Sequence, residues 1–428
     1  MKTIQVSRSS PLSGSVKIPG SKNSSLALVA AACLADEPVR LQGIPDIADL
    51  RVIYDIGSEI GLYIKRDHTG TLYIDPRGIH SSTLDPVRSS KFRTAYYFIG
   101  SLLAKFGKVS LGYPGGDDFV NRPIDQHIKA LKMLGATFTF YDQHYTVEAK
   151  ELRGTTIFFD VITSGATINV MLAAVRAKGT TILLNAARDP EVTDTANLLN
   201  RMGAKITGAG TDTIRIEGVS SLGGCTHTVI PDRLLAGAFL MAPGLVGGSV
   251  TVEDVIPAHL TSCLAKLSEI GLEIEVKEDS ITSYSTGTLR AVRVRTAMYP
   301  GFATDLQQPL TALLTQAQGK SIIGERIYPA RFNHVYHLNK MGADIRVRSG
   351  VASIRGGNPL HGTLVHASDI RAGICLILAG LCAEGTTTIA GVQHIERGCE
   401  DIVGSFRSLG ANIEMGQLYD VGEDYMHG

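Results

Sequence analysis

The chain has 428 residues, 44% of them hydrophobic and 19% charged, the make-up of a globular protein long enough for two sizeable cores. Lysine plus arginine balances aspartate plus glutamate, 41 against 41. No basic excess is therefore present to hold nucleic acid or an anionic membrane surface, although a local basic pocket for a small anion is compatible with neutrality.

The opening MKTIQVSRSSPLSG has no apolar signal core. The longest apolar runs, such as ICLILAGLCA from Ile374, are too short for a bilayer and begin beside Arg371. They read as buried helices, and a cytoplasmic location is expected. Cys33, Cys225, Cys263, Cys375, Cys382 and Cys399 form no C-x-x-C pair and read as reduced packing residues. No metal is expected.

One phrase recurs along the chain: a helical stretch, a hydrophobic-x-Gly step, then a strand-like run. It occurs at Gly61, Gly135, Gly203, Gly271, Gly342 and Gly410, with gaps of 74, 68, 68, 71 and 68 residues by difference. So even a period predicts one supersecondary unit repeated six times, each helix ending in a left-handed residue. Between the glycine steps, Ala-rich apolar helices run into β-branched segments, as in AAVRAKGTTILLNAARDP. Helices apolar on all sides belong inside, with the strands outside them.

The expected architecture is thus α/β: six βαβαββ-type units, three per lobe, each lobe an inside-out α/β barrel with its helices buried. The lobes are expected at 22–231 and at 1–21 plus 232–428, with the site in a cleft between them. The inner helices are predicted to start at GSKNSS (Gly20), SSKFRTA (Ser89), TSGAT (Thr163), PDRLLAG (Pro231), TDLQQ (Thr304) and SDIRAG (Ser368). Helix N-termini carry unpaired N–H groups and partial positive charge, so their convergence would trap phosphate or carboxylate.

In chain order, Lys22 at the start of the first inner helix is a candidate anion clamp or simply a solvated lysine. PGGDDFVNRPIDQH follows, with Asp117 and Asp118 adjacent, so that one carboxyl could stay protonated as a general acid, and with Arg122 as a planar fork for phosphate. Asp305 reads as a helix-start acid or as a base for a substrate hydroxyl. Asp369 and Arg371 in SDIRAG and Arg397 in HIERG follow the same logic.

Together, GSKN, the PGG loop with RPxDxH, TSGAT, AARDPEVTDTANLL, PDR, TDLQ, RFNHV, SDIRA and HIERG resemble the enolpyruvyl transferases over nearly the whole chain. The resemblance implies transfer of the enolpyruvyl group of phosphoenolpyruvate to the 3-hydroxyl of UDP-N-acetylglucosamine, with loss of phosphate and no cofactor. It implies that Lys22 and Asn23 hold phosphoenolpyruvate and the sugar, and that Arg122, Arg371 and Arg397 surround the anionic groups. Arg93 and the run Arg122, Pro123, Ile124, Asp125, Gln126 would meet the nucleotide. Thr163, Ser164 and Gly165 would cradle phosphate, with Asp232, Ile327 and Arg331 as further contacts. Asp117 would be the acid, Asp305 the base, and Asp369 a second catalytic acid.

Asp117 stands where many members of the family carry Cys. Val161 replaces a frequent Lys, and Pro329-Ala330 a usual Glu-Asn, so another uridine nucleotide as acceptor, or a paralogue without turnover, stays open. The expected partners are phosphoenolpyruvate and a uridine nucleotide sugar, without nucleic acid or membrane, for a monomer or weak homo-oligomer.

Overall fold

The computed structural model describes residues 1–115 and 122–418. These divide into two compact units. One comprises Met1–Ile18, Arg233–Ala297 and Gly301–Gly428, and the other Pro19–Asp232 with Met298–Pro300.

The sixfold period is a period in structure. All six step glycines have positive φ, from 90° at Gly410 to 114° at Gly271, the region where a Cβ would clash. Each stops an amphipathic helix and turns the chain into a strand. In the third repeat the helix Ser164–Ala174 leads to the strand Thr180–Leu184, the helix Pro190–Arg201, Gly203, and the strands Lys205–Thr207 and Thr213–Glu217. Thr180–Leu184 alternates half-buried and buried residues, as a strand over a one-sided core should.

The strands pair by one rule. Thr180–Leu184 lies antiparallel to Thr213–Glu217, which is antiparallel to Lys205–Thr207, and a short parallel strand, Thr156–Phe158, closes the other edge. Four further sheets copy that order, and a sheet of three strands carries the second repeat. The sixth repeat is finished by the other end of the chain: Lys2–Ser7 pairs antiparallel with both Thr386–Ala390 and Ile413–Gln417.

The apolar helices are interior. Lys22–Ala32 buries every residue except Asn23, and Ile370–Cys382 buries all but Cys382. In one unit Tyr97–Phe106 packs on both Lys22–Ala32 and Ser164–Ala174; in the other Arg233–Val246, Gln307–Leu314 and Ile370–Cys382 pack on one another. Truncating a core ring such as Phe98 or Phe239, both about 0–1% exposed, should cost about 3–5 kcal/mol.

One expected start is displaced. SSKFRTA does not open the second inner helix. A short helix ends at Ser89, a 3-10 turn spans Arg93–Tyr96, and the long helix begins only at Tyr97. Pro86 favours the first turn of a helix, so it starts that short helix early. All six cysteines are free, four of them buried and Cys225 and Cys382 half-buried. No described helix is long and apolar enough to cross a membrane.

Candidate active site

The candidate residues fall into two groups, one in each unit. In the unit built on Pro19–Asp232, Lys22 is the first residue of Lys22–Ala32, which is capped by Ser21 through its hydroxyl and the N–H of Ser24, 3.3 Å apart. The Lys22 side chain is only 11% exposed, and its Nζ lies 2.8 Å from Asp49 Oδ2. Its backbone N–H donates to Asp232 Oδ2 at 3.4 Å, so Lys22 and Asp232 are brought together. Asn23 beside them is exposed. The sequence reading missed Asp49. An acid in a first helical turn reads as a partner of the helix dipole, and nothing local betrays a lysine 27 positions earlier.

Arg93 reaches two backbone carbonyls and one aromatic ring. It donates to the carbonyl oxygens of Arg122 and, at 3.4 Å, of Pro123, and its guanidinium stands 5.6 Å from the centre of the Tyr96 ring. Arg122 and Ile124 are half-buried and Pro123 and Asp125 exposed, with Asp125 in the first turn of Asp125–Met133. Gln126 is buried. Its carbonyl takes the N–H of Asp160 at 2.9 Å and its amide donates to Asp125 at 2.9 Å. Asp117 and its neighbour Asp118 lie outside the described residues.

Thr163 caps the helix Ser164–Ala174, its hydroxyl taking the N–H of Ala166 at 3.4 Å. Ser164 and Gly165 form its first turn. A Cβ on Gly165 would come within 2.6 Å of the Tyr96 hydroxyl and 3.3 Å of His127 Nε2, so a larger residue there would have to displace the Tyr96 ring. His127 is buried, with Nδ1 3.1 Å from the Asn169 amide. Burial, with the charge of Arg93 adding to it, pushes its pKa down to about 3, so the ring is neutral.

In the other unit, Asp305 sits in a 3-10 turn, Thr304–Leu306, just before the helix Gln307–Leu314. Arg331 donates to one carboxylate oxygen at 2.6 Å and Arg371 to the other at 3.3 Å. Both guanidiniums are largely buried, 4% and 7% exposed, while the Asp305 side chain is 27% exposed. Burial raises the Asp305 pKa, but the two arginine charges and their hydrogen bonds outweigh it and hold the carboxyl well below the usual range. Asp305, Arg331 and Arg371 are therefore one cluster.

Asp369 is the N-cap of Ile370–Cys382. One oxygen accepts the N–H groups of Arg371 and Ala372 at 2.9 and 3.0 Å, and the other faces the Gln308 amide at 3.5 Å. In this structure it anchors the turn that aims Arg371. Ile327 is half-buried on the loop after Lys320–Gly324, and Arg397 is half-buried at the end of Val392–Glu396. Val161, Pro329 and Ala330 are exposed. No group of three or more metal-ligating side chains occurs among the described residues.

The reading also missed Glu325. It is 1% exposed and accepts from two threonine hydroxyls and two backbone N–H groups, with Thr304 among the donors.

A family model described as EPSP synthase (3-phosphoshikimate 1-carboxyvinyltransferase) matches residues 6–406. The chain is 48% identical over 409 residues to UDP-N-acetylglucosamine 1-carboxyvinyltransferase 2 of Geobacillus kaustophilus (strain HTA426), covering 96% of this chain and 95% of that protein. It is 48% identical over 402 residues to the protein of the same name from Listeria monocytogenes (serovar 1/2a), covering 94% and 95%. Among solved structures, the enolpyruvyl transferase NikO from Streptomyces tendae superposes with a TM-score of 0.88 at 27% identity over 97% of this chain and 98% of that one. EPSP synthase from Acinetobacter baumannii superposes with a TM-score of 0.73 at 18% identity, over 97% of this chain and all of that one, a likeness of fold.

Proposed function

Because the chain belongs to the EPSP synthase family, which carries the enolpyruvyl transferase fold, we propose that it moves the enolpyruvyl group of phosphoenolpyruvate to the 3-hydroxyl of UDP-N-acetylglucosamine and releases phosphate. That transfer makes a precursor of peptidoglycan. The acceptor follows the name of relatives 48% identical over nearly their full length. The observation that carries the chemistry is the Asp305–Arg331–Arg371 cluster, a carboxylate kept ionised between two guanidiniums.

The reaction needs a base for the attacking hydroxyl, an acid for the vinyl carbon, and cations for carboxylate and phosphate. In the addition step the sugar oxygen bonds to C2 of phosphoenolpyruvate, its proton passes to Asp305, and C3 gains a proton to become a methyl group. In the elimination step the C2–O bond to phosphate breaks and the methyl group returns a proton, restoring the double bond. We assign the acid role to Asp117 and the binding of the anionic groups to Lys22, Arg122, Arg371 and Arg397.

A carboxylate held far below its usual pKa is a poor base. The same cations that depress it are the ones an anionic substrate would engage. Once a phosphate or carboxylate shares the Arg371 charge, the pull on Asp305 weakens and its basicity rises. Binding of the correct anion and activation of the base are then one event. Asp49 acts similarly on Lys22, holding the ammonium in place until a substrate anion competes for it.

Both reactants are small cytoplasmic metabolites, and we place the reaction there. The test is phosphate release from phosphoenolpyruvate with a panel of uridine nucleotides. Release with UDP-N-acetylglucosamine supports the proposal; release only with another acceptor would replace that sugar and leave the chemistry intact.

A further inference from the structure

Glu325 directly follows the strand Lys320–Gly324 and accepts from four donors, with no cation at salt-bridge distance among the described residues. Its Oε1 accepts the Thr296 hydroxyl at 2.7 Å and the N–H groups of Ile327 and Tyr328 at 2.8 and 3.0 Å. Its Oε2 accepts the Thr304 hydroxyl at 2.9 Å. Thr304 in turn accepts from Arg331 at 3.3 Å, and the same guanidinium nitrogen donates to Asp305 at 2.6 Å.

A buried acid costs several kcal/mol of solvation unless it is paired or hydrogen-bonded, and apolar packing would be the cheaper way to fill the space. The four donors explain how Glu325 is tolerated. Their placement points to its use. Oε1 shapes the loop that presents Ile327, and Oε2 reaches the residue just before Asp305. The hydroxyl of Thr304 gives its proton to Glu325 and so must use its lone pair toward Arg331. Glu325 thus fixes the polarity of the chain of hydrogen bonds and, with it, the separation of Arg331 and Asp305.

We infer that Glu325 is a positioning residue for Asp305, acting through Thr304 and Arg331. The inference rests on the proposed reaction for its catalytic meaning, but not for its structural test. Among the described residues, the charged and titratable groups around Asp305 include Arg331 and Arg371, then Asp369 behind Arg371, Glu325 through Thr304, and the neutral, buried His334 beside Arg331.

The experiment follows the titration of the Asp305 carboxyl by carbon-13 NMR in the full chain, with Asp305→Asn to assign the signal. Loss of the Glu325 charge alone would push the Asp305 pKa further down, since a neighbouring anion has gone. Loss of positioning pushes it up, because the arginine contact loosens. Glu325→Gln keeps an oxygen for the Oε1 donors and changes the Oε2 side. Thr304→Val removes only the hydroxyl, and Thr304→Ser restores it. The expected result is an upward shift in Glu325→Gln and Thr304→Val, with Thr304→Ser close to the parent. In turnover, kcat should fall about tenfold in the first two variants while KM for both substrates holds within about twofold. An unchanged or lower Asp305 pKa in Glu325→Gln and Thr304→Val overturns the inference. An upward shift in a protein that releases no phosphate would retain the positioning role and overturn the proposed reaction instead.

Discussion

Lys22 and Asp49 face each other across 2.8 Å, with side chains only 11% and 8% exposed. The lysine nominated as an anion clamp already holds an anion, and that anion is part of the protein. Such a pair adds little over apolar packing, yet removing Asp49 costs about 3–5 kcal/mol because the Lys22 charge then loses its carboxylate.

Asp49→Asn should therefore lower the melting temperature. A dissolved anion can take the vacated place beside Lys22, so phosphoenolpyruvate or inorganic phosphate should raise the melting temperature of the variant more than that of the parent. Scanning calorimetry with and without phosphate checks this. Equal shifts in the two proteins would show that Lys22 is not where the anion binds.

Asp305→Asn should lower kcat by about 10²- to 10⁴-fold, the usual worth of a positioned acid or base. Phosphate binding should survive, since Arg331 and Arg371 then face a neutral amide rather than a carboxylate. Steady-state kinetics together with a phosphate binding isotherm test the pair of claims. Loss of anion binding alongside kcat would mean that Asp305 only holds the arginines in place.

How much of this was legible from sequence depends on whether the partners are local. The period of Gly61, Gly135, Gly203, Gly271, Gly342 and Gly410 is written in the chain because a left-handed helix end strongly favours glycine there. Thr163 and Asp369 were legible as helix starts, since a cap is satisfied within three residues. Asp49 and Glu325 were not. Their meaning lies in contacts with Lys22, Thr296 and Thr304, reached only after the strands pair. The hold of Arg93 on the carbonyls of Arg122 and Pro123 was not legible either.

Acid should destabilise the protein through two neutral histidines. His127 and His334 are buried, and burial moves each pKa from 6.5 down to about 3. Between those values the unfolded chain binds the proton and the folded one does not. Stability is then fullest above about pH 6.5 and declines toward pH 3, by up to about 1.4 kcal/mol per pH unit for each histidine. Asp305 adds nothing above about pH 4, because its contribution is lost only as the pH falls through and below the ordinary carboxylate value of 3.8. Urea unfolding over pH 4 to 8 (a range of roughly the histidine window) should show a shallower slope in His334→Asn. A slope equal to the parent's would refute the assignment.

The epoxide antibiotic fosfomycin forms its adduct through a thiol, and the loop residue here is Asp117. Intact-mass measurement should find no adduct on the parent chain and a stoichiometric one on Asp117→Cys. The buried thiols should not compete: burial raises those of Cys33 and Cys263 to about 12, leaving little thiolate near neutral pH. A stoichiometric adduct on the parent loop would refute this prediction.

The central claim is addition followed by elimination at phosphoenolpyruvate, with a methyl group formed in between. Turnover with UDP-N-acetylglucosamine in deuterium oxide tests it directly, because a solvent deuteron enters that methyl group and a hydrogen can leave in its place. The account predicts deuterium at the vinyl carbon of the enolpyruvyl product, with one phosphate released per transfer. Product formed with no deuterium at that carbon would contradict it.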